Sequence, residues 1–350
     1  ALRFDLTVPL AKYVAMHYGE LSFPFKRYQI GKVYRGERPQ KGRFREFYQC
    51  DIDIIGDTEL NNFYDAEIPN VIYTTFKELG FSDFTIHINN RKILNGLFSS
   101  LNLVKESTDI MRIIDKIAKI GEENVIKELT SLNIDSDSIS TIMNFIKISG
   151  SNDEKLLAID NLNIKDEFFT TGLTELKEVV NCMRLLGLPE DHFVIDLTIA
   201  RGLDYYTGTV YETFLNDYPE LGSVCSGGRY ENLAEYYTNK KLPGVGISIG
   251  LTRLFYKLNE LHALKVDKKS ISDVLVVTAF RNANINTELY MENKKIKAKF
   301  KYADKLCIPF VAVIGETEIE TNTVSLKNMV TGEQVQVNIE EAIKIIKGTV

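Results

Sequence analysis

The segment from Phe25 to Gly56 constrains the fold most, because it alternates along two stretches that a short turn joins. Period-2 alternation predicts one strand over Tyr28–Arg35 and a second over Arg43–Ile55. The residues between them include glycine and proline, which are typical of a turn. Strands joined this closely pair antiparallel, so the sequence predicts a β-hairpin within an antiparallel sheet.

The second strand of this hairpin has two different faces. One face carries Phe44, Tyr48, Cys50, Ile52 and Ile54, and the other carries Arg45, Gln49, Asp51 and Asp53. Between Lys26 and Glu46 there are eight Lys or Arg residues and two acids. Guanidinium groups bind phosphate oxygens in bidentate geometry and stay charged at any working pH. The hairpin is therefore either an exposed element with scattered charge or the place where a polyanion lies over an acid-lined pocket.

Three other segments carry candidate site residues. Asp5 and Thr7 point the same way if the chain there is extended, although they also fit a polar helix entry. Arg201 ends a predicted strand beside a glycine, which fits either a surface ion pair or a site residue. Arg253 lies near the start of a predicted helix, where the helix dipole favours anions. The chain contains no G-x-x-x-x-G-K-[ST], so a P-loop is excluded as the nucleotide site.

Three long motifs carry a resemblance to a known family. YRGERPQKGRFREFYQCDIDIIG resembles motif 2 of the class II aminoacyl-tRNA synthetases, and of the histidyl-tRNA synthetase family in particular. ARGLDYYTGTVYE resembles a motif peculiar to the histidyl family, and PGVGISIGLTRLF resembles class II motif 3. The resemblance implies an α/β (α+β) fold. Its parts would be an antiparallel-sheet catalytic core with a helical insertion and a C-terminal α/β anticodon-binding domain.

Composition and periodicity then divide the chain into segments. We predict a first part of the core over 1–102, a helical insertion over 103–170, a second part of the core over 171–262, a linker over 263–272 and an anticodon-binding domain over 273–350. The insertion is rich in Lys, Glu, Asp and Ile. By resemblance it would clamp the acceptor arm of tRNA, and the alternative is a family-variable decoration.

Two features suggest segments that the sequence does not include. The chain opens without Met, so we expect a front segment with class II motif 1 upstream. Near the C-terminus, a strand over Asp273–Phe280 is followed directly by a second strand region that begins at Arg281. Parallel strands need a crossover connection, so we expect that about one helix is missing at this junction.

The resemblance implies a role for each candidate residue. Arg35 and Arg201 would be catalytic and would bracket the ATP α-phosphate. The histidine-binding residues would be Asp5, Thr7, Arg35, Gln49, Asp53, Arg201, Tyr205 and Tyr206. The ATP-binding residues would be Arg35, Glu37, Arg201 and Arg253. The tRNA-contacting residues would be Lys41, Arg43, Arg45 and Lys295, where the last belongs to a lysine cluster that is alternatively a solvated face.

The implied function is that of a histidine–tRNA ligase. L-histidine would be activated with ATP to histidyl-adenylate and then transferred to the 3′ end of tRNA(His). We expect Mg²⁺ carried by ATP, no zinc or other protein-bound metal, a homodimer and a cytoplasmic location. The four cysteines are dispersed without a C-x-x-C, so neither zinc nor a disulfide framework is indicated.

Bulk properties leave two alternatives open. The net charge is −6, so RNA binding would depend on local basic patches. No apolar run of about 18 residues suggests a membrane helix. One alternative is a non-catalytic relative, such as the regulatory subunit of ATP phosphoribosyltransferase or a tRNA-sensing domain. The other is a generic α/β nucleotide-binding protein. Arg35, Arg201 and Arg253 together with the C-terminal domain favour the ligase.

Overall fold

The computed structural model describes residues 1–39, 42–199, 205–261, 263–264, 276–290 and 295–349. The chain divides into two compact units, Ala1–Leu264 and Lys265–Val350. None of the helices in the described ranges is long and apolar enough to cross a membrane.

Within the described residues, the first unit is built on a seven-stranded sheet. Its strands are β1 (Phe25–Tyr34), β2 (Glu46–Ile55), β3 (Phe84–Asn90), β4 (Phe193–Ile195), β5 (Thr209–Leu215), β6 (Cys225–Tyr230) and β7 (Gly244–Ile249). They are ordered β1-β2-β7-β6-β5-β3-β4. All neighbours are antiparallel except β3 and β4. The predicted hairpin is β1–β2, with Arg27 directly opposite Asp53.

The two faces of this sheet have opposite character. Residues opposite each other on neighbouring strands share a face. One such row is Ile52, Ile247, Gly227, Tyr211 and Ile88, and its side chains join the core beneath the helices. The adjacent row is Asp51, Ser248, Ser226, Glu212 and His87. Helices therefore cover the apolar face, and the polar face is left for a site.

Helices form most of the other described elements of the first unit. They are α1 (Thr7–Met16), α2 (Phe63–Glu78), α3 (Arg91–Ser100), α4 (Ser107–Ile114), α5 (Ile117–Ile120), α6 (Glu122–Ser131), α7 (Ser136–Ile146), α8 (Asn152–Asn161), α9 (Glu167–Leu185) and α10 (Leu251–Glu260). Helix α1 begins at Thr7, because Pro9 is tolerated in a first turn. Helix α9 begins after its N-cap Asp166, so it runs through the predicted boundary at residue 170.

Strand β6 was not predicted from the sequence. The structure places Gly227 and Gly228 in the middle of the sheet. A Cβ on Gly227 would lie 2.1 Å from the Gly246 carbonyl oxygen, and one on Gly228 would lie 2.7 Å from the Thr209 carbonyl oxygen. These glycines permit close backbone approach within a strand, although glycine is intrinsically a poor strand former.

The second unit is a small α/β assembly. Its described elements are α11 (Val276–Asn282), α12 (Ile296–Lys305), β8 (Phe310–Val313), α13 (Glu316–Thr321), β9 (Val324–Asn328), β10 (Gln334–Val337) and α14 (Ile339–Thr349). The strands form an antiparallel sheet ordered β10-β9-β8. Phe280, Val324, Leu326, Ala342 and Ile346 form its buried core.

Two predictions about this unit are wrong. The strand predicted to end at Phe280 is helical from Val276, and the strand region predicted from Arg281 is the end of that helix followed by coil. A short apolar run does not by itself distinguish a buried strand from a buried helix. Helix α11 also runs through the Phe280–Arg281 junction, where a missing segment was expected, and that expectation stays a prediction.

Candidate active site

A cavity of about 260 Å³ adjoins the hairpin and the start of helix α10. The described side chains that give it its chemistry are Arg35, Glu37, Arg43, Gln49, Ser248 and Arg253. The basic residues come from the hairpin and from α10, whereas Gln49 and Ser248 come from the polar face of the sheet. The cavity therefore has a basic part and a neutral polar part, and buried acids adjoin the latter.

Arg35 is held in place by two aromatic rings. Its guanidinium carbon lies 4.6 Å from the centre of the Phe4 ring and 5.2 Å from that of Phe47. Its Nε also donates to the Phe4 carbonyl oxygen at 3.4 Å. Stacking of this kind fixes the plane of a guanidinium group, so the direction of its N–H groups is set before a ligand binds.

Arg253 completes the basic part from the first turn of α10. It donates to the carbonyl oxygens of Leu221 and of Ser223, the latter at 3.3 Å. Burial lowers the pKa of Arg253, and nearby Arg43 lowers it further. Like charges gathered at a helix N-terminus are stabilised by an anion, so the chemistry of this part of the cavity suits a phosphate group.

Asp53 is the most constrained of the acids. Its side chain is 2% exposed, and its Oδ2 lies 3.0 Å from a guanidinium nitrogen of Arg27. The Tyr230 hydroxyl donates to Oδ1 at 3.0 Å. Burial raises the pKa of Asp53 to about 6, and Arg27 and Tyr230 oppose that rise. A Cβ on Gly246 would lie 2.3 Å from Oδ1, so glycine is required opposite this carboxylate.

Asp51 and Gln49 meet at Ser248. The Gln49 Nε2 donates to Ser248 Oγ at 2.7 Å. Asp51 is 2% exposed, and burial raises its pKa to about 7, while its hydrogen bond with Ser248 lowers it. Within the described part of the chain, Gln49 Oε1 and Asp51 Oδ1 are buried without a hydrogen-bond partner.

The remaining predicted histidine-binding residues gather beside these acids. Asp5 is buried and accepts the Val8 backbone N–H at 2.9 Å, so it also caps the helix that begins at Thr7. The rings of Tyr205 and Tyr206 lie 5.0 Å apart. Burial raises the pKa of both tyrosine hydroxyls. The side chain of Thr7 opposes the rise in the pKa of Tyr205.

Some predicted residues lie elsewhere. Arg201 and Lys41 fall outside the described residues. Arg43, predicted to contact tRNA, lines the cavity with Arg35 and Arg253. Arg45 is exposed and donates to the Glu37 carbonyl oxygen at 3.3 Å. Lys295 is exposed just before α12, in the second unit.

Two site residues were missed by the sequence analysis, Arg27 and Tyr230. Both touch Asp53. The signal for Arg27 was only partial, because pairing the two predicted strands about their turn sets it opposite Asp51, whereas the structure pairs it with Asp53. Tyr230 has no such local signal, since it reaches Asp53 from β6. In the ranges that the structure covers, no group of three or more His, Cys, Asp or Glu side chains is arranged to hold a metal ion.

An antiparallel sheet of this order, with helices on one face and an anion site at a hairpin and a helix start on the other, defines the catalytic core of a class II aminoacyl-tRNA synthetase. The sequence model described as "Histidyl-tRNA synthetase" matches residues 1–254, and that described as "Anticodon binding domain" matches residues 274–349.

Comparison with known proteins identifies the family within this class. A histidine–tRNA ligase of Clostridium tetani is 56% identical over 361 residues, which cover 99% of this chain and 82% of that protein. The crystal structure of histidyl-tRNA synthetase from Nostoc sp. PCC 7120 is 42% identical, with a TM-score of 0.72, and covers 99% of this chain and 84% of that one. The chain belongs to the histidyl-tRNA synthetase family. The resemblance and the fold class inferred from the sequence are thus confirmed.

A more distant structure shares the fold alone. A Bacillus halodurans protein described as an ATP phosphoribosyltransferase regulatory subunit/histidyl-tRNA synthetase is 23% identical, with a TM-score of 0.61. The match covers 73% of this chain and 64% of that one.

Proposed function

We propose that this chain is a histidine–tRNA ligase, which activates L-histidine with ATP and then transfers the histidyl group to the 3′ end of tRNA(His). The observation that carries the proposal is one site that joins an arginine-lined cavity to a cluster of buried carboxylates. Such a site fits a polyphosphate at one end and an ammonium group at the other. Membership in the histidyl-tRNA synthetase family supports the same activity.

The first step is attack of the histidine carboxylate on the ATP α-phosphorus, with release of pyrophosphate. Arg35, Arg43 and Arg253 supply positive charge where the phosphates would lie. Such catalysis depends on positioning and on stabilisation of developing negative charge, and it needs no protein nucleophile. Arg201 keeps the α-phosphate role that its sequence motif suggests.

Recognition of histidine uses the acid end of the site. Asp5, Thr7 and Gln49 bind the α-ammonium in this proposal, while Asp53 accepts an imidazole N–H. Tyr205 and Tyr206 line the ring. A site built to hydrogen-bond a polar ring discriminates against apolar analogues by about 10⁴–10⁵-fold, because its buried groups would lose their partners.

Mg²⁺ fits this site only through the nucleotide. Among the described cavity-lining side chains, Glu37 is the acid that faces Arg35, Arg43 and Arg253. Guanidinium groups repel a cation and attract phosphate, so ATP would carry the ion and its charge would help neutralise the phosphates.

The tRNA and dimer contacts are also proposals. Lys41, Arg45 and Lys295 remain candidates for RNA contacts, whereas the cavity position of Arg43 favours ATP. A homodimer is supported by the edge strand β1, where Tyr28 is 80% and Ile30 61% exposed. The cytoplasmic location stays a prediction.

The test is amino-acid-dependent ATP–pyrophosphate exchange, run with each of the twenty amino acids and followed by charging of tRNA(His). We expect exchange with histidine alone, then histidyl-tRNA formation. Arg201→His should lower the exchange rate by about 10²-fold or more while histidine binding stays nearly unchanged. Histidine binding without any exchange in the wild-type protein would instead support the non-catalytic alternative.

A further inference from the structure

A short chain of polar side chains links β2 to β7 behind the proposed ammonium site. Asp51 lies directly opposite Ser248, and Gln49 is two residues before Asp51 on the same face. Gln49 Nε2 donates to Ser248 Oγ at 2.7 Å, and the hydroxyl of Ser248, on the residue directly opposite Asp51, lowers the pKa of that carboxyl by hydrogen bonding. A hydroxyl has one proton. If an ionised Asp51 accepts this proton, the Ser248 oxygen is left as the acceptor for Gln49. The hydrogen bonds then run in one direction, from Gln49 through Ser248 to Asp51.

That direction decides which end of the Gln49 carboxamide faces the substrate. With Nε2 held by Ser248, Oε1 is turned away, and it is buried without a partner among the described residues. Gln49 also lines the cavity. An unsatisfied buried acceptor costs about 1–3 kcal/mol, so a ligand that donates a hydrogen bond to it gains affinity.

The charge around Asp51 favours a cationic donor. The charged and titratable groups that interact with it are Asp53 on its own strand, Asp5 before α1, Arg27 on β1 and Tyr206, while Cys50 and Cys225 do so from the opposite face of the sheet. The raised pKa values of Cys225 and Tyr206 keep both neutral near pH 7. Once Asp51 is ionised, the carboxylates outnumber the one guanidinium group and leave an excess of negative charge that an ammonium group would balance.

We infer that Asp51 is a positioning residue for the amino-acid substrate: through Ser248 it holds the Gln49 carboxamide with its oxygen toward the α-ammonium. This inference rests on the proposed function. Protonation of Asp51 reverses the direction of this hydrogen-bond series. A carboxylic acid donates to Ser248, and Ser248 then donates to Gln49. The carboxamide then turns its NH₂ toward the ammonium, and like-polarity donors oppose each other.

Asp51→Asn tests the inference, because it removes the acceptor-only carboxylate that fixes the direction of these hydrogen bonds, and the Asn NH₂ allows the reversed direction as well. We expect the dissociation constant of histidine to rise about 10-fold or more, the range for hydrogen bonds to charged groups. Imidazolepropionate, which is histidine without its amino group, should bind both proteins equally within about 2-fold. Calorimetric titration of both ligands measures this, and the KM for ATP should be unchanged.

Serine variants and a surface acid provide the controls. Ser248→Ala should repeat the loss, and Ser248→Thr, which keeps the hydroxyl, should restore histidine binding. Asp57→Asn replaces an exposed acid just beyond the same strand and should leave the affinity for both ligands unchanged. If Asp51→Asn does not fold, the two Ser248 variants still decide the matter.

The pH dependence separates positioning from a merely structural role. Asp51 has its pKa near 7, so wild-type affinity relative to Asp51→Asn should increase from about pH 6 to about pH 8. Titration of the substrate imidazole cancels in this ratio. A flat ratio, or equal loss of histidine and imidazolepropionate binding, would overturn the inference. If wild-type protein shows no histidine-dependent exchange, the proposed function fails instead.

Discussion

The Tyr230 hydroxyl is a single group whose removal tests the proposed imidazole site. It donates to Asp53 and lowers the pKa of that carboxyl. Tyr230→Phe removes this bond, so the pKa of Asp53 rises above its present value of about 6. Protonated Asp53 accepts an imidazole N–H less well. We expect kcat/KM for histidine to fall about 10-fold near pH 7, mostly through KM.

The pH profile of Tyr230→Phe shows in which direction the pKa of Asp53 has moved. The acid limb of kcat/KM should move to higher pH, because more hydroxide is needed to ionise Asp53. Pyrophosphate exchange across about pH 5–8 measures it. Tyr236→Phe, at an exposed tyrosine six residues later, is the matched control. An unshifted acid limb would contradict the role of Asp53.

The burial of Asp51 also predicts how stability depends on pH. The folded protein holds this proton up to a pKa of about 7, whereas the unfolded chain releases it near the ordinary value of 3.8. The folded state therefore binds more protons between these values, and its free energy of unfolding falls as pH rises through them. Asp51→Asn removes this loss. Its stability relative to wild type should increase by up to ~4 kcal/mol across that window.

Urea unfolding without substrates, at several values between about pH 4 and pH 8, measures this difference. It should grow up to about pH 7 and then stay constant. Asp57→Asn should show no such growth, because that acid is exposed. A stability difference that is the same at every pH would mean that folding does not raise the pKa of Asp51.

Polar side chains that stand out within one strand were easier to predict than side chains whose role depends on a contact with a distant strand. The alternation of β2 placed Gln49, Asp51 and Asp53 on one face, and the structure buries all three there. Tyr230 was missed because its partner is distant in sequence. Contacts between distant strands depend on register, which local periodicity does not contain.

Among the elements, the crossing of α3 and α9 gives a sharp prediction. A Cβ on Gly96 would lie 2.3 Å from the backbone nitrogen of Phe169, and backbone cannot rotate aside as a side chain would. Gly96→Ala should lower the free energy of unfolding by about 1–3 kcal/mol, although alanine favours helix. Urea denaturation measures the loss. Gly19→Ala, where a Cβ meets nothing within 4 Å, should change stability by a few tenths of a kcal/mol. Equal effects would show that the helices can move apart.

Elements were predictable where one period dominated. The β1–β2 hairpin and α2 follow clear alternating and helical patterns, and both form. Strand β6 was not predicted because glycine has a low strand propensity, and the glycines of β6 are there because they allow close approach of the neighbouring backbone. Helix α11 failed because an apolar run is compatible with either structure, and tertiary packing of Phe280 decides.

For the whole molecule, the fold and the family followed from motifs in order, which single elements do not provide. Three motifs separated by long stretches identify a family that one motif alone would not, and the described structure brings the hairpin and α10 to one cavity. The helical insertion carries no such motif, so its role did not follow from the sequence. The ordered motifs therefore predicted the family and the fold class, whereas nothing in the sequence predicted the role of this variable part.

The two units differ in the size of their buried cores, and this predicts two unfolding transitions. The core of the first unit extends from the sheet through α2, α3 and α9, whereas that of the second unit rests on Phe280, Leu326 and a few neighbours. A smaller core buries less apolar area and stabilises less. We expect the second unit to unfold first on heating, with loss of tRNA charging while ATP–pyrophosphate exchange persists.

Calorimetry together with both activity assays measures this, and matched core variants assign the transitions. Leu326→Ala should lower the first transition temperature and leave the second nearly unchanged, and Leu97→Ala should do the reverse, because each leucine is buried in one core. A loss of about 2–5 kcal/mol from either core is large enough to separate the two shifts. One transition that both variants move equally would mean that the units unfold as a single cooperative body.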